Sequence, residues 1–489
     1  MERERNHTIM QFFEWHLEAD GKHWRRLAKL APRLKDRGID AVWIPPPTKA
    51  VSPEDTGYAV YDLYDLGEFD QKGGVRTKYG TKEELLEAIE ACREAGVGVY
   101  ADLVMNHKAG ADGTETFQVV EVEADNRLSD ISEPFDIEGW TKFDFPGRGD
   151  AYSSFKWNFE HFNGTDCDAR EDRQGIYRIV GEGKGWNDNV DDAFGNYDYL
   201  MYANIDYRHP DVRREMIEWG KWLADTLDCA GYRLDAIKHI DHTFVRDFTE
   251  AMYAERGDRF FIVGEFWNSD PGACQKFLEQ VGGRISLFDV RLHYNLHEAS
   301  EKGADYDLTK LFDGTLVQTN PTNAVTFVDN HDSQPGEALE SWIADWFKQS
   351  AYALILLREG GYPCVFYGDY FHIGGDEEEI EGKKMATDPL LYSRHHKAYG
   401  EQEDYFDDPR LIGWVRRGVA EIERSGCAVV VCTGEGGEKK MYVGDHRAGE
   451  EWVDFTQTRE DKVVIGEDGF GIFPANGGSV SVWALPDPV

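Results

Sequence analysis

The chain has 489 residues, 41% of them hydrophobic and 13% aromatic, enough to bury a large core and to fill more than one domain. Acidic residues outnumber basic ones 92 to 53, a formal charge of −39 spread along the whole length, which argues against nucleic acid or an anionic membrane surface as partner. Seven cysteines lie scattered without a C-x-x-C pair, indicating neither a zinc site nor a disulfide framework but free thiols in a reducing compartment.

An acidic coat of this kind suits a salt-rich milieu, where ions screen self-repulsion; an ordinary acidic mesophilic protein is the alternative. The start, MERERNHTIMQFF, is charged and leads straight into a strand-like run, and no apolar run is long enough to span a bilayer. As given the chain reads as cytoplasmic, and a leader removed beforehand would leave the same picture. A monomer is expected.

Apolar runs alternate with amphipathic stretches. The runs are Thr8–Phe13, Ala41–Ile44, Val97–Val104, Tyr232–Ala236, Phe260–Val263, Ile285–Phe288, Ala324–Val328 and Cys364–Tyr367. Helix-like segments between them include Trp24–Lys35, Lys82–Glu94, Asp211–Leu227 and Trp342–Leu357. Eight runs alternating with helices predict an α/β fold, a (β/α)8 TIM barrel of parallel strands. From Asn106 to Arg208 the chain is rich in Gly, Asp, Asn and aromatics, too long for a loop, and predicts an inserted β-rich domain after strand 3. After His396 short alternating runs such as Leu411–Val415, Ala428–Cys432, Lys440–Val443 and Ser479–Ala484 predict a C-terminal antiparallel β-sandwich domain. The expected boundaries are 1–105 and 209–396 for the barrel, 106–208 for the insert and 397–489 for the last domain.

Four of the predicted strands finish in polar residues. The third ends in Asp102, Asn106 and His107; the fourth carries Arg233 and Asp235; the fifth ends in Glu265 and Trp267; the seventh ends in Asp329, Asn330, His331 and Asp332. Side chains alternate along a strand, so Arg233 and Asp235 share a face, and the cation favours an ionised Asp235. Taken alone that stretch fits a structural Arg–Asp pair equally well. Active sites of such barrels lie at the carboxyl ends of the strands, where all four segments would converge. Paired carboxylates cleave glycosidic bonds, one as nucleophile and one as proton donor. Trp15, Tyr58, Tyr61 and Trp267 offer flat apolar faces on which sugars stack.

The motifs DLVMNH (Asp102–His107), GYRLDAIKH (Gly231–His239), GEFW (Gly264–Trp267) and FVDNHD (Phe327–Asp332) resemble, in order, those of the alpha-amylase family of glycoside hydrolases, in its liquefying bacterial form. The likeness extends to GYAVYDLYDLGEF (Gly57–Phe69), RTKYGTKEEL (Arg76–Leu85), FPGRG (Phe145–Gly149), GNYDYLMYANIDYRHPDV (Gly195–Val212), GYPCVFYGD (Gly361–Asp369) and NGGSVSVW (Asn476–Trp483). The resemblance implies Asp235 as nucleophile, Glu265 as general acid/base and Asp332 as a third carboxylate on the sugar. Reaction would proceed with retention through a covalent glycosyl-enzyme, the first two carboxyls about 5–5.5 Å apart. It further implies that Asp102 pairs with Arg233, that His107 and His331 bind the sugar at the cleavage point, that Tyr58 stacks on it, and that Lys238, His239 and Trp267 line the leaving-group side.

The same resemblance implies a calcium held by Asn106, Asp198, Asn204 and the backbone carbonyl of His239, tying the insert to the barrel. Relatives carry an aspartate at position 204, and a second calcium and a sodium on carboxylates where this chain has Asn163, Asn187 and Arg208; Thr433 replaces an aspartate of a further site. Amides ligate more weakly than carboxylates and an arginine not at all, so one calcium is expected. The implied substrate is an alpha-1,4-glucan polysaccharide or oligosaccharide: starch, glycogen or maltodextrin. A 4-alpha-glucanotransferase on the same scaffold would extend short maltodextrins instead, and a non-catalytic glucan-binding barrel would lack one of the three acids, all of which are present.

Overall fold

The structure is a computed structural model that describes residues 6–374 and 380–488. Eight parallel strands close a barrel in chain order: β1 (Ile9–Gln11), β2 (Ala41–Ile44), β3 (Gly98–Leu103), β4 (Gly231–Leu234), β5 (Phe261–Gly264), β6 (Ser286–Phe288), β7 (Ala324–Phe327) and β8 (Tyr362–Phe366), with β8 pairing back onto β1. These are the eight apolar runs of the sequence. Helices α1 (His23–Asp36), α2 (Lys82–Ala95), α3 (Pro210–Leu227), α4 (His242–Arg256), α5 (Pro271–Gln280), α6 (Val290–Lys302), α7 (Asp345–Leu356) and α8 (Lys384–His396) alternate with them. Their limits have local causes. In α2 the Thr81 hydroxyl and Glu84 carboxylate form a reciprocal capping box, and Gly96 ends the helix with a left-handed φ of 74°.

Close strand contact selects glycine at two positions beside the site. A Cβ on Gly231 would sit 2.1 Å from the Phe261 carbonyl oxygen, and one on Gly264 would sit 2.1 Å from Ile237 Cδ1. Both motifs therefore begin with glycine for packing reasons, and the register they permit sets Arg233 opposite Asp102 on β3 and Val263 on β5.

Between β3 and β4 lies a six-stranded antiparallel sheet, in the order His107–Lys108, Ala203–Ile205, Phe162–Asp168, Arg173–Ile179, Gly113–Glu121, Phe135–Lys142. Arg148 of the FPGRG motif ties this insert to the barrel. It is buried, donates to Asp62 at 2.7 Å, and sends its Nη1 to the carbonyls of Ala151 and Ser153. The C-terminal part is a six-stranded antiparallel sheet faced by a two-stranded antiparallel sheet of Gly436–Tyr442 and Phe470–Asn476, closed around Val415, Val430, Trp452, Phe473 and Trp483. Among the described residues no helix is long and apolar enough to cross a membrane.

His23, the first residue of α1, is packed under β1. Its Nε2 donates to the Phe12 carbonyl at 2.7 Å, its Nδ1 has no partner among the described residues, and burial pushes its pKa down to about 4. The unfolded chain therefore takes up a proton near pH 6.5 that the folded chain refuses, so this contribution is complete above about pH 6.5 and is lost as pH falls towards about 4. Its full size is about 3 kcal/mol. Chemical unfolding of His23→Gln should show a smaller loss of stability between neutral and mildly acid pH than the native chain; identical losses would refute it.

Candidate active site

Strand β4 stops at Leu234, so Asp235 is the first residue beyond the ladder, its N–H donating to the Leu103 carbonyl at 3.0 Å. Ala236 then takes a left-handed φ of 49°, a conformation costing a non-glycine residue about 1–2 kcal/mol. That turn ends the strand and starts a short 3₁₀ segment, Ile237–His239. The strand predicted to Ala236 thus ends two residues earlier. Asp235 and Arg233 still share a face.

The Arg233 guanidinium, 1% exposed, is the hub. Nη1 donates to Asp102 Oδ1 at 2.9 Å and to Asp235 Oδ1 at 2.6 Å, and Nη2 donates to Glu265 Oε2 at 2.5 Å. The rings of Trp43 and Tyr58 lie 4.9 and 5.9 Å from its central carbon. Trp43 Nε1 and the Tyr58 hydroxyl both donate to Asp102 Oδ2, at 2.9 and 2.8 Å. One cation therefore faces several buried acids, a balance that favours uptake of protons. Burial pushes Glu265 well above its ordinary range, with Asp235 and Asp332 adding to the rise and Arg233 opposing it. Burial likewise lifts Asp102 to about 6 and Asp332 to about 7, again against the pull of Arg233.

Asp332 is placed by a tight turn: the Asn330 side-chain oxygen accepts the N–H groups of Asp332 and Ser333 at 3.0 and 2.8 Å. Its Oδ2 lies 3.5 Å from His331 Nε2. The rings of Trp15, Tyr58 and His331 are near-parallel and mutually adjacent, with centroids 5.1–5.8 Å apart. His107 sits nearby with both ring nitrogens occupied, Nε2 donating to the Tyr58 carbonyl at 2.8 Å and Nδ1 accepting from Asn106 at 3.3 Å. On the opposite side Lys238 Nζ donates to the Trp267 carbonyl at 3.3 Å, Trp267 Nε1 donates to the Tyr294 hydroxyl at 3.0 Å, and His239 Nδ1 donates to the Tyr197 carbonyl at 2.7 Å. Tyr61 stands apart from this group. It is 1% exposed and hydrogen-bonded to Asp112, between barrel and insert.

Sequence reasoning missed Gln11, Trp43 and the buried Lys348. The last donates to Asp329 and, at 2.6 Å, to Asp369, behind the FVDNHD segment. An internal lysine in α7 carries no motif of its own, but the GYPCVFYGD segment that ends in Asp369 was visible.

The expected calcium ligands lie at the junction of insert and barrel. Asp198 is buried and accepts amide N–H groups from Asn163 at 2.6 Å, Asn187 at 2.9 Å and Asn204 at 3.2 Å. Burial without a nearby cation lifts its pKa to about 7. The side-chain oxygens of Asn187 and Asn204 are buried without a donor among the described residues. One carboxylate and two orphaned amide oxygens are an oxygen-only set that fits a hard cation. Asn106 gives an amide N–H to His107 Nδ1 at 3.3 Å, a bond that does not engage its side-chain oxygen. The neighbouring Asp206 does not fit a second ion. Arg208 donates to both of its carboxylate oxygens at 3.1 Å, and Lys184 Nζ lies 3.6 Å away while donating to the carbonyls of Glu160 and Phe162.

Removal of the hub cation would leave buried acids without a partner, a loss of about 3–5 kcal/mol. Arg233→Met should unfold at distinctly lower denaturant concentration than the native chain; an unchanged midpoint would contradict the ion-pair geometry described above.

The sequence profile described as "Alpha amylase, catalytic domain" matches residues 27–401. The chain is 50% identical over 479 residues to a glucan 1,4-alpha-maltohexaosidase of Bacillus sp. (strain 707), covering 98% of this chain and 92% of the relative. It is 43% identical over 496 residues to a cytoplasmic alpha-amylase of Escherichia coli (strain K12), covering 99% and 100%. Among solved structures, an alpha-amylase from Geobacillus thermoleovorans shares the fold with a TM-score of 0.65 at 17% identity, over 99% of each chain. With the profile spanning most of the chain and relatives matched along nearly all of it, the protein belongs to the alpha-amylase family.

Proposed function

We propose that this chain is an endo-acting alpha-amylase that hydrolyses internal alpha-1,4-glucosidic bonds of starch, glycogen or maltodextrins with retention of configuration. The observation that carries the reading is the meeting of Asp235 and Glu265, from the ends of two different strands, on one buried guanidinium, with the charge of Asp332 near enough to raise Glu265. The printed names of the relatives point the same way.

In this reading Asp235, paired with Arg233, attacks the anomeric carbon as the glycosidic bond breaks. Glu265 supplies the proton to the departing oxygen. Its Oε2 already accepts N–H groups from Arg233 and Ala236, which leaves Oε1 to carry that proton. The resulting carboxylate then takes a proton from water as the glycosyl ester is hydrolysed. Asp332 and His331 hold the sugar hydroxyls, Trp15 and Tyr58 bear on its face, and His107 fixes the Tyr58 segment. Lys238, His239 and Trp267 border the leaving group. We assign residues 1–105 and 209–396 to the barrel, 106–208 to the insert and 397–489 to the last domain; strand pairing within each range supports these limits.

The reading includes one calcium at Asn106, Asp198, Asn204 and the His239 carbonyl, where a divalent ion would neutralise Asp198 and tie insert to barrel. It also includes a high-salt setting, supported by the charge of −39. Seven unpaired cysteines and the name of the Escherichia coli relative support a cytoplasmic location, which cell fractionation would check.

Reducing-sugar release from soluble starch should fall about 10²–10⁴-fold in Glu265→Gln, since positioned proton transfer contributes that much. Equal rates would remove Glu265 from its role. Thermal unfolding should shift down in a chelator and recover with calcium, and shift up as potassium chloride rises towards molar. Indifference to chelation would sink the calcium assignment, and destabilisation by salt would sink the halophilic one.

A further inference from the structure

We propose that Gln11 is a positioning residue whose side-chain amide fixes His331 in the tautomer protonated at Nε2, so that the ring donates a hydrogen bond at the cleavage site. The inference rests on the reading of the site given above and adds a residue to it.

Gln11 ends β1 and is 1% exposed. Its amide nitrogen lies 3.0 Å from His331 Nδ1. An amide nitrogen only donates, so Nδ1 must present its lone pair. A neutral imidazole carries a single proton, which is thereby placed on Nε2. The other end of the ring is compatible with that placement. Nε2 lies 3.5 Å from Asp332 Oδ2, and a carboxylate oxygen calls for a donor. The opposite amide orientation would set a lone pair against Asp332 whenever that carboxyl is ionised, so the observed orientation is the one that suits both ends of the ring.

The ring itself has little freedom to turn. It is 1% exposed, near-parallel to Trp15 at 17° and to Tyr58 at 14°, with Phe13 at 5.1 Å and Trp43 at 5.8 Å. Burial and the nearby Arg233 cation hold it neutral. Aromatic packing thus sets the plane of the imidazole, and Gln11 decides which nitrogen bears the proton. The result is a donor at Nε2 beside the acceptor Asp332, a pair that can grip one sugar hydroxyl from both sides. Losing the Gln11 N–H would free the other tautomer, which puts two acceptors side by side and removes the donor.

The test uses the full chain labelled with ¹⁵N-histidine, the His331 signals being identified by their absence in His331→Asn. In the native protein Nε2 should be protonated and Nδ1 bare. Gln11→Glu, equal in size but unable to donate, should move the proton to Nδ1. It should also lower kcat on a chromogenic maltoheptaoside about 10- to 100-fold, the scale of one hydrogen bond to a charged or transition-state group, while KM changes less than about threefold. Gln11→Met should lower kcat in the same way. A native spectrum with Nδ1 protonated overturns the proposal even if neither variant folds, and so does a folded Gln11→Glu with native tautomer and native kcat. A native chain that shows the expected tautomer yet releases no sugar from starch would instead refute the hydrolase reading, leaving the role of Gln11 in the tautomer intact.

Discussion

The burial of one guanidinium against three acids, Asp102, Asp235 and Glu265, is the constraint from which the site follows. Arg233 could not be placed in the barrel without Asp102 beside it, and the register that pairs them also brings Asp235 and Glu265 within reach of the same group. A buried cation with one acid would be a structural pair. Here the acids are in excess, so part of the surplus is relieved by protons, and Glu265, Asp332 and Asp102 are groups whose affinity for them rises. The same excess that stores a proton for the leaving group also supplies a paired carboxylate beside it. This division of labour between neighbouring carboxyls depends on environment and not on residue type.

The positions of the eight strands were legible because barrel strands buried on both faces read as uninterrupted apolar runs. Other elements were hidden. Phe162–Asp168 reads FNGTDCD, a turn-like composition, yet it is a strand because Ala203–Ile205 and Arg173–Ile179 pair with it on either side. Phe135–Lys142 was likewise masked by its charged outward face. At the site, the acids announced themselves at strand ends. Gln11 and Trp43 did not, because a single polar residue or tryptophan in an apolar strand has no pattern; only the closed barrel shows that Trp43 reaches Asp102 and Gln11 reaches His331.

The junction of insert and barrel divides into two halves with different chemistry. Around Asp198 the partners are neutral amides, two of them with unsatisfied oxygens, which suits a divalent ion. Around Asp206 the chain supplies its own cations, Lys184 and Arg208, and the carboxylate is satisfied without one. The insert is also fastened by Arg148 on Asp62, well away from either half in sequence. Its attachment therefore combines covalently tethered charges with a single candidate ion site, an economical arrangement for a chain already carrying 39 excess negative charges.

The nucleophile is the element on which the whole chemical account turns. A fluorinated maltosyl fluoride that forms the glycosyl ester faster than water removes it should add one fluorinated maltosyl group, two sugar units, to the peptide containing residue 235, and mass spectrometry of a protease digest would locate the bond on that side chain. A bond on any other residue, or turnover with inversion and no trapped ester, would contradict the central claim.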